Sequence, residues 1–314
     1  MLFIIQNRKI YFIISGFLCL ISILSLAFWG LRLAIDFTGG TLMEIEFTQK
    51  RPKSQQIEEV IKDLDLGSIN IRESGEKGMI LRMKTIDEKQ HQEILKRLSD
   101  LEIQKTNKEK AETKGASTLT ELRFESIGPI IGQELKRKTL WAISLVVIAI
   151  ILYIAWAFRK VSKISYTSGV ASWKYGLGAI IALIHDILIV TGIFSILGRF
   201  ANIEIDILFI TALLTILGYS VNDTIVVYDR IRENLMRLSH QDFETVVNQS
   251  INETIVRSIN TSLTTLLVLL AVFFFGGVTI KYFILTLIFG IILGTYSSIF
   301  IASPLLVTWE KIKR

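Results

Sequence analysis

The sequence contains one cysteine and three histidines in 314 residues. A single cysteine, Cys19, excludes any disulfide within the chain, and its position inside an apolar run makes it a packing residue. His91 is the only histidine in residues 34–138 and has no second ligand in register, so a histidine-based metal site is not expected. No glycine-rich loop of the GxxxxGK[ST] kind occurs, which excludes nucleotide hydrolysis of that type. Two weak protease signals are also incomplete. Tyr228-Asp229 lacks a GxGD partner segment, and Ser220, which could be paired with His185, lacks the usual following glycine. The expectation is a chain that is not an enzyme and has no cofactor, metal, nucleotide or nucleic-acid ligand.

What the sequence has in abundance is apolar residues, 51% of the chain. They are gathered in six blocks, 10–33, 139–158, 176–197, 205–228, 260–277 and 282–307. About 20 residues of helix cross a bilayer, and backbone polar groups cannot be left bare in lipid, so these blocks are expected to be six transmembrane helices. The first is preceded by Arg8 and Lys9 like a signal peptide. It is too long for an h-region of about 7–15 residues and lacks a clean cleavage site, so it is read as a retained anchor.

The net charge of +6 is unevenly placed. Residues 34–138 carry 19 Lys and Arg against 19 Asp and Glu. The excess therefore lies in the membrane part. Thirteen basic residues, from Arg8 through Arg159, Lys174, Arg230 and Arg257 to Arg314, fall on one set of alternating sides, against Arg32, Arg199 and Lys281 on the other. The positive-inside rule places both termini in the cytoplasm and residues 34–138 outside. Basic loops beside membrane helices account for this charge without nucleic acid.

Residues 34–138 are too many for a plain loop and read as a domain. TLMEIEF (41–47) alternates like a half-buried strand, and SQQIEEVIKDLDL (54–66) is an amphipathic helix capped by Ser54. INIRES and MILRMK flank GEKG as a hairpin. Residues 87–103 form a second helix capped by Asp87, and TELRFESIG (120–128) is a last strand. The order β-α-β-β-α-β is that of an α+β ferredoxin-like domain. Gln104–Ser117 is read as a polar surface loop and His91 as a solvated histidine. Nothing in the domain has a catalytic pattern, so it is read as a binding module.

One stretch breaks the apolar pattern. LGYSVNDTIVVYDR (217–230) places Asn222 and Asp223 near the end of the fourth block. An ionised Asp in a membrane helix costs about 2.5–3.5 kcal/mol on insertion scales, and such residues by default handle protons or ions. Arg257 and Thr261 share one face of the fifth helix at a similar depth. Arg257 would favour the ionised carboxylate and desolvation the neutral one. Small and hydroxyl residues nearby, Gly218 and Ser220 among them, permit close packing or hold water. His185 and Asp186 lie in the third block; as neighbours they point to different faces, which argues against a dyad. Residues 236–253 read as an amphipathic surface helix.

Several segments together carry a resemblance: AIDFTGG (34–40), ESIGPIIGQELKRKTLWAI (125–143), ALIHDILI (182–189), GYSVND followed by DRIREN, and ETIVRSINTSLTT (253–265). They resemble the SecF subunits of the bacterial protein-export machinery, in the SecD/SecF family of the resistance-nodulation-division superfamily. The match spans almost the whole chain; Ala34 departs from a glycine frequent ahead of IDFTGG. The resemblance implies a multi-pass protein of the bacterial inner membrane that acts with SecD, the SecYEG channel and unfolded secretory polypeptides. It implies use of the proton-motive force in late steps of translocation, with Asp223, Arg257 and Thr261 handling protons; Asn222, Asp186 and Ser220 are read from their positions as supporting residues. Asp36, Gly39, Gly40, Gly128 and Pro129 are read as shaping the turns between membrane and domain. Two other functions stay open: a proton-driven exporter of lipids or small molecules, and a structural translocase subunit without proton coupling.

Overall fold

In the computed structural model the described residues are 3–48, 51–105, 119–157, 172–238 and 240–312. The chain forms two compact units, one of Met1–Arg32 with Leu140–Arg314 and one of Leu33–Thr139. Of the surface loop expected over Gln104–Ser117, Gln104 and Lys105 are instead the last residues of a helix (Glu88–Lys105) and the rest lies outside the described residues, as do Arg159, Lys160, Lys163, Lys313 and Arg314.

After the first long helix, α1 (Arg8–Trp29), the second unit begins with a one-turn helix, α2 (Ile35–Thr38). Strand β1 (Gly40–Phe47), helix α3 (Ser54–Ile61), strands β2 (Asn70–Ser74) and β3 (Gly78–Met83), helix α4 (Glu88–Lys105) and strand β4 (Leu119–Ile127) follow. The sheet order is β2-β3-β1-β4 and every neighbouring pair is antiparallel. This is the ferredoxin-like arrangement expected from the order of elements. Met43, Ile45 and Phe47 of β1 pack with Met79 and Leu81 of β3 against Ile57 and Ile61 of α3 and Ile94 and Leu98 of α4.

Two of these local expectations change and a third holds. Strand β1 is not half-buried: as a central strand it is covered on both faces, and its Glu44 is satisfied by the Ser74 hydroxyl at 2.9 Å. Ser54 is the first residue of α3 rather than its cap. The cap is Lys53, whose N–H donates to the Gln56 side chain at 3.3 Å. Asp87 does cap α4, accepting from the Gln90 N–H at 2.8 Å, while its own N–H donates to the Gln90 side chain.

His91 is not solvated. It is 6% exposed and stacks on Phe124 with ring centroids 3.8 Å apart. Its Nε2 lies 2.8 Å from Glu121 Oε1 and its Nδ1 3.3 Å from Glu88 Oε1. The charged neighbours that suggested a surface position are its partners, and the ring ties α4 to β4. His91→Ala removes the stack and leaves Glu121 without its ring partner, a loss of about 1–3 kcal/mol. Hydrogen exchange on the full chain should show faster exchange in residues 119–124 and little change in β2; equal rates would refute the tie.

In the membrane unit, six helices among the described residues are long and apolar enough to cross a bilayer. They are α1; α5 (Pro129–Ala157), which begins in the second unit; α6 (Ser172–Phe200); α7 (Ile207–Arg237); α8 (Phe243–Phe275); and α9 (Lys281–Ser297) continued through a π turn (Ser298–Ala302) into α10 (Ser303–Ile312). Pro304, lacking an N–H, sits in the first turn of α10, where a missing donor is tolerated. Half of the apolar windows of α6 and α7 is buried, against 6% of that of α5 and 11% of that of α8. Helices α6, α7 and α9 thus form the interior, while α5 and most of α8 present side chains outward.

The amphipathic surface helix expected over 236–253 is not a separate element: Met236 and Arg237 end α7, and residues 243–253 are the first part of α8. Asp242 caps it, accepting from the Thr245 N–H at 3.1 Å. With no Gly or Pro before Gly276, the helix runs unbroken into the fifth apolar block. Its apolar stripe, Phe243, Val247, Ile251 and Ile255, joins the core with Val227 and Ile231 of α7. Arg230 and Asn234 of α7 reach Glu253 at 2.6 and 2.8 Å and fasten the two helices.

Small residues set the helix spacing. On α1, Ser22 and Ser25 face α6, and Ser195 Oγ lies 2.9 Å from Ser25 O and 2.7 Å from Gly30 O. A Cβ on Gly192 would come within 2.3 Å of Ser22 Cβ. Gly290 and Gly294 of α9 lie over Ile216 and Ser220 of α7 in the same four-residue register, the close-approach pattern of membrane helices. Gly218, read as a packing residue, has nothing within 4 Å of an added Cβ.

Candidate functional site

Among the described residues, two buried aspartates lie inside the membrane unit. Asp223 is on α7 and 8% exposed; Asp186 is on α6 and fully buried. Interior placement follows the helix period. On α7, Leu213, Ile216, Leu217, Ser220, Thr224 and Val227 form the buried stripe, and Asp223 falls at its edge toward α8.

Asp223 is held by hydroxyls. Ser258 Oγ of α8 donates to Oδ1 at 2.6 Å, and Ser298 Oγ of the π turn lies 2.8 Å from Oδ2. Asp186 has the same arrangement: Ser220 Oγ of α7 lies 2.6 Å and Ser297 Oγ of α9 2.8 Å from Oδ2, while His185 Nδ1 is 2.9 Å from Oδ1. Among the described residues, no Lys or Arg forms an ion pair with either carboxylate. Around them, Tyr219 Oη donates to Ser262 Oγ at 3.2 Å, and Ser262 in turn shares a short hydrogen bond with Thr295.

The expected trio is only partly assembled. Arg257 and Thr261 lie on the exposed side of α8, and the Thr261 hydroxyl donates to the Arg257 carbonyl at 2.9 Å. Helix geometry accounts for this placement. A residue advances about 100° around a helix, so the face that carries 257 and 261 is turned away when Ser258 points inward. The inward stripe of α8 is Ser250, Thr254, Ser258 and Ser262. Asn222 is likewise exposed on α7. Ser220, expected to support Asp223, bonds Asp186 instead. His185 and Asp186 do form a pair, because the short Asp side chain and the Nδ1 edge of the ring can lean together across one step of helix. Ser258, Ser297 and Ser298 were missed by sequence reasoning; their only signal is their helical spacing from the carboxylates' neighbours.

At the turn into the second unit, Gly39 has φ +75° and Gly40 φ +127°. A Cβ on Gly39 would lie 2.8 Å from Pro129 Cα, and one on Gly40 2.8 Å from Met83 O. Gly132 is equally tight: a Cβ there would lie 2.9 Å from Gly39 N, so α2 and the start of α5 meet backbone to backbone. Pro129 is the first residue of α5, where its missing N–H is of no consequence. Gly128, expected to shape this turn, has open space around it. Asp36 is half-buried in α2.

Comparison with known proteins places these features in a family. The model for the C-terminal part of the SecD/SecF protein export membrane protein matches residues 106–312, and that for the SecD/SecF GG motif matches 24–50. A protein translocase subunit SecF of Thermobaculum terrenum is 42% identical over 313 residues, 99% of this chain and 94% of that protein. The chain belongs to the SecD/SecF family. A second SecF subunit, from Anaerolinea thermophila, is 39% identical over 99% of this chain and 94% of its own length. Among solved structures, SecDF of Thermus thermophilus, described as a translocon-associated membrane protein, superposes with a TM-score of 0.76 at 32% identity. The match covers 99% of this chain and 39% of that one, so this chain spans well under half the SecDF polypeptide. The GG-motif segment of the SecD/SecF family contains Gly39 and Gly40, the pair with positive φ. The relatives are named protein translocase subunits, and with the six apolar helices among its described residues this chain is a multi-pass membrane protein of that family.

Proposed function

We propose that this chain works with a SecD subunit beside the SecYEG channel and uses the proton-motive force to promote late steps of preprotein movement across the bacterial inner membrane. The observation that carries the reading is Asp223: a carboxylate inside the membrane unit, held by two serine hydroxyls and no cation among the described residues. Hydroxyls can accept from a carboxyl as well as donate to a carboxylate, so such a site accommodates both protonation states. One charge crossing 100 mV supplies about 2.3 kcal/mol, enough to shift a conformational equilibrium some fifty-fold.

The need for a second chain is supported by what is left outward. Asn222, Arg257, Asn260 and Thr261 are exposed within apolar helices, and uncovered polar groups are costly in lipid. SecDF, whose polypeptide is far longer than this chain, offers a precedent for the missing part. In this reading Arg257 and Thr261 face the SecD side and approach the proton site when the helices move. The Leu33–Thr139 unit lies outside the cell membrane and meets unfolded secretory polypeptide, and both termini are cytoplasmic, as the thirteen-to-three bias of basic residues supports.

The test is translocation of a secretory protein into inverted membrane vesicles, with and without a proton gradient, for wild type and Asp223→Asn at matched assembly with SecD. The expected result is that the gradient stimulates the wild type and not the variant. Equal stimulation would leave a structural subunit without proton coupling, and gradient-dependent efflux of a lipid or small molecule in place of protein would favour the exporter reading.

A further inference from the structure

Asp186 shares its surroundings with Asp223 in a way that gives it a role of its own. The two carboxylates are reached by consecutive residues. Ser297 Oγ lies 2.8 Å from Asp186 Oδ2, and Ser298 Oγ lies 2.8 Å from Asp223 Oδ2. Each hydroxyl also lies near a carbonyl of its own helix: Ser297 Oγ is 3.2 Å from Gly294 O, and Ser298 Oγ 3.0 Å from Thr295 O.

A hydroxyl has one proton and cannot donate to both acceptors. When the carboxylate is ionised, the serine donates to it and leaves the carbonyl. When the carboxyl is protonated, the carboxyl donates to the serine oxygen, and the serine turns its proton to the carbonyl. Each serine therefore has two arrangements, and the proton on its aspartate selects between them. The two serines share one peptide, at the point where α9 gives way to the π turn, a place where helical hydrogen bonding is already rearranged. The Ser298 carbonyl is further held by Ser303 Oγ at 3.0 Å. A change at one serine thus alters the hydrogen bonding of the backbone that carries the other.

The neighbourhood of Asp186 suits proton binding. His185 contacts Oδ1 through Nδ1, and its Nε2 is buried without a hydrogen-bond partner among the described residues. An unpaired buried nitrogen next to a carboxylate marks a position where a proton or a water can be taken up. The other titratable groups around it are Cys19 from α1, within electrostatic reach of Asp186, Tyr296 from α9, whose ring lies 6.1 Å from that of His185, and Asp223 from α7 through the serine pair.

We propose that Asp186 is a second proton-binding carboxylate of the membrane unit, linked to Asp223 through Ser297 and Ser298. The link rests on the reading of Asp223 as a proton site; the binding of a proton at Asp186 does not.

The experiment is pH-difference infrared spectroscopy of the full chain in lipid nanodiscs, following the carbonyl stretch of protonated buried carboxyls. Wild type should show two such bands. Asp186→Asn should remove one and move the midpoint of the other by roughly fivefold or more in proton concentration, the lower range of site-to-site coupling. Ser297→Ala, which keeps both carboxyls, should keep both bands and move the midpoint of the Asp186 band, and it decides the matter if Asp186→Asn does not fold. The proposal is overturned if Asp186→Asn removes no band, or if Ser297→Ala leaves both midpoints at their wild-type values. If Asp223→Asn removes no band while Asp186→Asn does, it is the Asp223 reading and the link that fall, and Asp186 remains a proton site.

Discussion

Gly290→Leu will separate α9 from α7 and abolish the folded membrane unit at temperatures the wild type survives. The contact leaves no room for a side chain. A Cβ at 290 would lie 2.2 Å from Cγ1 and Cδ1 and 2.8 Å from Cγ2 of Ile216, so rotating the end of Ile216 cannot clear it. Gly294, one turn on, would place a Cβ 3.0 Å from Ser220 Cβ and 3.2 Å from its Cα, which makes the second contact a backbone one. Overpacking a buried site costs about 1–3 kcal/mol by itself. Here the displaced helix also carries Ser297 and Ser298, so both aspartates lose a hydroxyl partner, and a buried carboxylate deprived of a partner costs more than a neutral group. The control is Gly218→Ala on α7, where an added Cβ meets nothing within 4 Å. In detergent, thermal denaturation should give a much lower midpoint for Gly290→Leu and an unchanged or higher one for Gly218→Ala. Similar midpoints for the two variants would show that the α7–α9 seam is not a close contact.

The comparison of Gly290 with Gly218 also shows which parts of this molecule could be read from the sequence. Helices and strands were legible because their signals are local: apolar runs of bilayer length, a period of two in MILRM, Asp87 three residues before Gln90. The β-α-β-β-α-β order then left few topologies to choose from. Facing was not legible, because it depends on which side of a helix its neighbours occupy. In α8 one face carries Arg257 and Thr261 and another Ser258 and Ser262, each spaced by four residues. The pattern favours neither, and tertiary packing chose the serines. The same holds for Ser220, which lies on the α6 side of α7 while Asp223 three residues later turns to α8. Residues 236–253 looked like a surface helix because their polar positions are numerous; one of those, Ser250, is buried and bonded to Asn234 of α7 at 3.0 Å. Glu253 adds to the same cluster. In a membrane protein, polar residues mark the interior as often as the surface, which inverts the usual cue.

The two glycines expected to shape the turn next to Gly40 should respond in opposite ways to alanine. Gly39→Ala puts a side chain at φ +75°, ψ 167°, a region open essentially to glycine alone and costing about 1–3 kcal/mol for other residues. It also drives a Cβ to 2.8 Å from Pro129 Cα, and neither partner can yield, since one is backbone and the other a fixed ring. Gly132 backs the same spot, so α2 has no free side toward which to retreat. Gly128→Ala meets no atom within 4 Å and its φ is not positive, so it should be neutral or stabilise by about 0.4–1 kcal/mol through the unfolded chain. Hydrogen exchange on the purified full chain separates the two. Gly39→Ala should raise exchange in the first residues of β1, which hydrogen-bonds to both β3 and β4 from Gly40 onward, whereas Gly128→Ala should leave β1 protected. If both variants protect β1 equally, the turn owes its shape to Pro129 and the surrounding sheet rather than to the backbone freedom of Gly39. The outcome bears on function as well, since this turn is where the chain passes from the first membrane helix into the Leu33–Thr139 unit, and a loosened turn would weaken any motion passed from α1 into that unit.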